Sequence, residues 1–139
     1  MRQSVGMVIV LRRRDREARR IVATGPDHSG SDLAGRRLVA MDLRHKRFRG
    51  TNLRGAALTE ADLEGADLRG GNLRGAYLTG AQLVRADLTG ACLDGAYLIA
   101  ANLRHAIIND ATFDHAIWDQ ATTWPDGEQH SRPAGFTRP

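Results

Sequence analysis

Residues 56–105 read AALTE, ADLEG, ADLRG, GNLRG, AYLTG, AQLVR, ADLTG, ACLDG, AYLIA, ANLRH. Leucine stands third in each of these ten fives, from Leu58 to Leu103. The frame continues without a gap in both directions. SDLAG, RRLVA, MDLRH, KRFRG and TNLRG precede it from Ser31, and AIIND, ATFDH and AIWDQ follow it to Gln120. Of the eighteen units, fourteen of the first fifteen have Leu at the centre, Phe48 being the exception, and the last three have Ile108, Phe113 and Trp118. Ala fills the first position in twelve units and Gly the fifth in nine.

A period of five matches neither a helix nor a flat strand. On one helix these leucines would be smeared around the whole circumference. The period fits a coil of four short sides, one unit per side, twenty residues per turn. The centres then point inward and stack in columns, which makes Leu53, Leu58, Leu63, Leu68, Leu73, Leu78, Leu83, Leu88, Leu93, Leu98 and Leu103 the expected core. The first position faces inward near a corner, where only a small side chain fits. The fifth falls at the second central position of a type II turn, which needs φ > 0 and so favours Gly. Coils spaced as hydrogen-bonded strands, about 4.8 Å apart, make a rod roughly 20 Å long. Stability is collective, because no single coil buries enough by itself.

The pattern A-(D/N)-L-x-G resembles the pentapeptide-repeat family. That resemblance implies an all-β fold, a right-handed quadrilateral β-helix or β-solenoid of about four and a half coils, with the handedness supplied by the family. It divides the chain into a basic N-terminal cap or arm at 1–30, the β-helix at 31–120, and a C-terminal plug and tail at 121–139. The family is best known for members that bind DNA gyrase and protect it from quinolones through a duplex-like acidic surface. DNA gyrase is therefore a partner that the resemblance implies.

Charge argues against carrying that role over directly. The net charge is +4, and residues 1–30 hold all of it, with seven Arg against three acids. Residues 31–120 carry eleven basic and eleven acidic groups. The repeat is polarised along its axis, with seven basic against two acidic groups at 31–55 and four against nine at 56–120. Nucleic-acid binding through the N-terminal Arg cluster, residues 12–20 with Arg36, Arg37, Arg44, Lys46, Arg47 and Arg49, is a further reading.

Both ends of an open β-helix need covering. Residues 5–11 and 21–24 read as two short apolar strands around a charged stretch, a hairpin or small cap over the first coil. A single basic helix over 7–22 is the alternative, as is a loose arm. Residues 27–30 read as a turn into the first coil. That coil has Ser31, Arg36, Met41 and Lys46 at its inward corners and is expected to be the least regular. At the other end the enlarging centres and Trp124 read as a plug.

No nucleotide, hydrolase or metal motif is present, so no catalytic, cofactor or metal residue is expected. A filled convex rod offers no cleft for catalysis. No membrane span is expected, since no apolar run approaches the ~18 residues required. A lone cysteine, Cys92, fits a reducing, cytoplasmic setting. Folding the sequence modulo twenty leaves one outward face apolar: Tyr77, Tyr97, Ile99 and Ile117 lie on adjacent rungs of it. These four are the candidate interface for a homo-oligomer or a protein partner.

Overall fold

A computed structural model describes residues 12–125. From Asp27 onward the chain forms parallel β-bridges that recur every five residues. They join residues twenty apart, as in Asp32↔Asn52↔Asn72, Ala57↔Tyr77↔Tyr97 and Asp62↔Gln82↔Asn102. The fold is a β-helix. Each rung is tied to the next by three backbone hydrogen bonds. On one rung Leu58 N–H donates to Tyr77 O at 2.8 Å, Tyr77 N–H returns to Ala56 O at 2.9 Å, and Glu60 N–H reaches Thr79 O at 2.9 Å. At each corner the first residue donates back to the preceding centre, as Ala61 N–H does to Leu58 O at 3.0 Å. That bond closes a β-turn whose second central residue is the fifth of the unit.

The fifth residue has positive φ in every unit up to His115, and at the glycines it runs from 60° at Gly50 to 71° at Gly30. Eight non-glycine residues adopt it too, including Ala40, His45, Glu60, Ala100 and Asp110, with φ of 54–59°. Left-handed backbone costs an L-residue roughly 1–2 kcal/mol. The coil imposes this conformation because the bonds on either side of the corner leave no other path.

Leu38, Leu43 and every centre from Phe48 to Leu103 are at most 1% exposed. Ala56, Ala61 and Ala76 at the corners are fully buried. Thr51 takes an Ala position at the start of the second coil, and its hydroxyl is satisfied by His28 O at 2.9 Å. Gly71 stands above it. A methyl added at Gly71 would lie 3.0 Å from Leu68 O and 3.7 Å from Thr51 O.

The structure corrects the reading of the N-terminal end. Residues 21–24 are not a strand of a hairpin: they belong to helix α1, Arg13–Thr24. Residues 5–11 lie outside the described residues. The helical alternative wins because Ala18 and Val22 fall one turn apart on a single face and bury against the core, with Asp15 below them. Arg and Glu, good helix formers, fill the remainder. The chain is thus a β-helix with one α-helix rather than all-β. Residues 27–30 are a rung rather than a turn into one. Pro26-Asp27-His28-Ser29-Gly30 forms a unit with a bridge from Asp27 to Arg47. His28 is its buried centre, stacked on Phe48 at 5.4 Å between ring centroids.

The first coil keeps the bridge pattern, but as expected its corners are the loosest: Met41 N–H to Leu38 O and Lys46 N–H to Leu43 O are both 3.4 Å, against 3.0 Å for Ala61 N–H to Leu58 O. Met41 is buried in the core at its corner, whereas Lys46 leaves the coil. Lys46 Nζ reaches the carbonyl oxygens of Gly25 at 2.7 Å and Ala23 at 3.5 Å, satisfying the C-terminal end of α1. At the other end the register slips by one residue. Asn102 bridges to Thr123, not to residue 122. Asp119 absorbs the extra residue, accepting from the N–H groups of Ala100, Ala121 and Thr122. The slip places Trp124 over the last centres, edge-on to Phe113 at 5.6 Å and to Trp118 at 6.1 Å.

Candidate interaction surface

The outward residues are the second and fourth of each unit. Where the second is Asp or Asn, its side-chain oxygen accepts the N–H of the fourth: Asp62 to Glu64 at 3.1 Å, Asn72 to Arg74 at 3.2 Å, Asp87 to Thr89 at 3.0 Å. Asp27, Asp32, Asp42, Asn52, Asp67 and Asn102 do the same. These are Asx turns, which satisfy a backbone donor that the ladder leaves over. They explain why Asp or Asn recurs at this position, a point the sequence pattern alone does not disclose.

One face has none of them. Its second-position residues are Arg37, Ala57, Tyr77, Tyr97 and Ile117, none of which carries a short acceptor. Its fourth-position residues are Val39, Thr59, Thr79, Ile99 and Asp119. Between Arg37 and Asp119 no second- or fourth-position residue is charged, and the one charge beside the strip is the exposed Glu60 at its corner. Tyr77 is 48% and Ile99 36% exposed, whereas Tyr97 and Ile117 are half-buried. The rings of Tyr77 and Tyr97 stack 4.9 Å apart and within 6° of parallel. Ile117 bridges to Tyr97 on the next rung, so the four expected residues share one strip. On the other side of Tyr77 stands Ala57, whose small side chain leaves that ring face uncovered.

The other faces are charged and internally paired. Arg69 holds Asp67 at 2.8 Å and approaches Asp87 at 3.6 Å, while Arg49 also grips Asp67. Asp67 and Asp87 are therefore separated by a guanidinium rather than joined as a carboxylate dyad. Arg44 spans Asp42 and Asp62, and holds the Asp42 carboxyl well below its usual range. Arg85 pairs with Glu64 at 3.3 Å. At Asp94 burial pushes the carboxyl up, but bonds from Thr112, Cys92 and the Asp114 N–H outweigh it and leave it lowered.

The N-terminal end differs. Arg19 is spent on the coil, but Arg13, Arg14, Arg16 and Arg20 of α1, and Arg12 at its N-cap, are exposed. Among the described residues none of these five has a carboxylate within ion-pairing distance. A groove of about 310 Å³ between α1 and the first coil is lined by Arg14, Val22, His28, Leu33 and Arg36, so the rod does have a concavity. His28 Nε2 is engaged there with Gly25 O at 2.8 Å. Among the described residues no cluster of His, Cys, Asp or Glu is placed to hold a metal ion. Nor is any helix there long and apolar enough to cross a membrane.

The family model for pentapeptide repeats matches residues 31–70, 47–83, 58–95 and 81–117. No curated protein matches the chain. Among solved structures, the pentapeptide repeat protein alr5209 from Nostoc Pcc 7120 is 33% identical over 84% of this chain and 86% of its own, with a TM-score of 0.33. Rfr23 from the cyanobacterium Cyanothece 51142 is 32% identical over 70% of this chain, with a TM-score of 0.36; this chain spans 63% of that protein. QnrB1, a plasmid-mediated fluoroquinolone resistance protein, is 17% identical over 67% of this chain and 61% of its own, with a TM-score of 0.38. The unbroken frame of fives, the matching family model and the ladder of bridges lead to one conclusion: this chain belongs to the pentapeptide-repeat family.

Proposed function

We propose that this chain is a non-enzymatic protein-binding module of a bacterial cytoplasm, docking through the strip of Tyr77, Tyr97, Ile99 and Ile117. In this reading the repeat is a right-handed quadrilateral coil of about four and a half turns, flanked by a cap and a plug. The observation that carries the function is the sacrifice made on that face. Each Asx bond contributes roughly 0.5–1.5 kcal/mol, and every other face makes two or more of them. This face forgoes all five and exposes Tyr and Ile instead, residues enriched where proteins meet. The test is capture from host extract by the immobilised chain, with the bound proteins identified by mass spectrometry. Tyr77→Glu/Tyr97→Glu should lose the partner while its circular dichroism stays unchanged. Equal capture by both chains refutes the reading.

A DNA-like acidic surface for gyrase is less well supported, since Arg49 and Arg69 neutralise Asp67 and Asp87 at the middle of their face. The second reading with an observation behind it is polyanion binding at α1 and its N-cap, whose five exposed guanidiniums lack partners among the described residues. Duplex binding whose affinity falls steeply with salt is the expected result there. No binding at low salt removes it.

A further inference from the structure

The strip is complementary to itself when reversed. Along its first column the rungs carry Arg37, Ala57, Tyr77 and Tyr97 in order, and along its second Val39, Thr59, Thr79 and Ile99, at the equal spacing set by the bridges. We infer that two copies of this chain pair through this face as an antiparallel two-fold dimer, with the axis lying across the strip between the Ala57 and Tyr77 rungs. The inference rests on the docking face proposed above and names its occupant.

The register follows from the residues. An axis in that position sets Tyr77 of each copy over Ala57 of the other, a large side chain into the gap left by a small one. The uncovered ring face of Tyr77 then gains a neighbour. Arg37, half-buried with its Nε covered in its own chain, comes opposite the partner's Tyr97, where the exposed part of its guanidinium is attracted to the ring. In the second column Thr59 meets Thr79, and Val39 meets Ile99, hydroxyl to hydroxyl and apolar to apolar. No other rung offset pairs all eight positions without setting Tyr on Tyr or Arg on Ala. The last rung, Ile117 with Asp119, overhangs the basic helix α1 of the second copy and places acid against base. Such a contact is isologous and closes at two copies.

The contact is small. Its five rungs make a strip roughly 20 Å long and only two side-chain columns wide, a footprint smaller than the ~800 Å² per partner of a standard interface. A dissociation constant between about 10 µM and 1 mM is therefore expected. Light scattering of the full chain should rise from 15.2 kDa towards twice that mass as protein approaches about 0.5 mM. Tyr77→Asn should stay monomeric with an unchanged circular dichroism spectrum. For the register, Val39→Cys and Ile99→Cys chains, each with Cys92→Ser, are mixed and oxidised. The mixed 39–99 disulfide should dominate, because two copies of residue 39 stand about 14 Å apart in this arrangement. A constant monomer mass overturns the dimer, and so does a preference for 99–99 over 39–99. If the chain stays monomeric but Tyr77→Glu/Tyr97→Glu still loses a host protein, only the dimer falls. If neither effect appears, both readings fall.

Discussion

Arg19 Nη1 lies 3.1 Å from the carbonyl oxygen of Val39, the place where an N–H one coil earlier would stand. The same guanidinium reaches Arg37 O at 3.4 Å, and the Arg37 N–H donates to Asp15 Oδ1 at 3.4 Å. On this side of the first coil, α1 thus supplies with two side chains the three partners that a preceding rung would have provided. Unpaired buried backbone groups cost roughly 1–3 kcal/mol each. Arg19→Ala should therefore lower unfolding free energy by about 1–3 kcal/mol. Asp15→Ala should do likewise, and the double substitution should be less than additive because both loosen the same helix. Urea denaturation of the three variants checks this.

The Asx turns give a prediction of unusual sign. Asp87 accepts from the Thr89 N–H at 3.0 Å and the Thr89 hydroxyl at 2.6 Å. Asp87→Ala should cost about 1–2 kcal/mol. Tyr77→Asn creates the bond where none exists and loses one stacked ring pair, worth about 0.5–1.5 kcal/mol. Its melting temperature should stay close to that of the parent. A large fall would show that the tyrosine ladder holds the fold together rather than serving as a contact.

Left-handed corners without glycine are a reservoir of strain. Ala100 has φ of 55°, and its N–H bond to Asp119 survives substitution. Ala100→Gly should raise stability by about 0.5–1 kcal/mol, the relief of left-handed strain less the entropy of glycine. Thermal melts resolve a change of that size.

In the core, Leu78 is fully buried. Leu78→Ala should cost about 2–5 kcal/mol, since stacked neighbours fixed by the bridge ladder cannot collapse into the void. The loss should appear in one cooperative transition, measured by circular dichroism and fluorescence together.

Acid titrates one identifiable contact. The Ser29 N–H, and then Arg47, pull the Asp27 carboxyl from 3.8 down to about 2. Its folded value is the lower one, so its contribution is complete above pH 3.8 and disappears as pH falls through about 2. Asp27→Asn should flatten the acid limb of the stability curve in that window and leave neutral pH nearly unchanged.

The period of five sufficed for the frame, the inward leucines and the glycine corners, because each is imposed locally and repeated many times. The ends were harder to read, since each is built only once. His28 hid as a centre because histidine there breaks the leucine pattern, although Asp27 and Gly30 stand in the right places. A strand reads more readily than a helix at 21–24 because Ile21, Val22 and Thr24 are β-branched, while the contact that decides, Val22 on the open coil, is tertiary. The slip beside Asp119 has no signature beyond a carboxylate three residues before Thr122. The reason for Asp or Asn at the second position required the geometry, since a solvated charge would give the same letters. The apolar face was visible once the chain was folded modulo twenty, but its missing Asx bonds were not.

The spacing of the bridges has a genetic corollary. Because each rung answers to the one twenty residues away, a duplication or excision of twenty codons within the repeat adds or removes a whole storey and preserves every column above it. Indels of one to three whole units rotate all that follows onto the wrong wall, and lengths that are not multiples of five break the frame of inward leucines. Downstream of the slip at Asp119 that freedom ends, because a storey appended there would begin one residue out of phase. Growth by copying is open to the shaft of this molecule and closed at its roof.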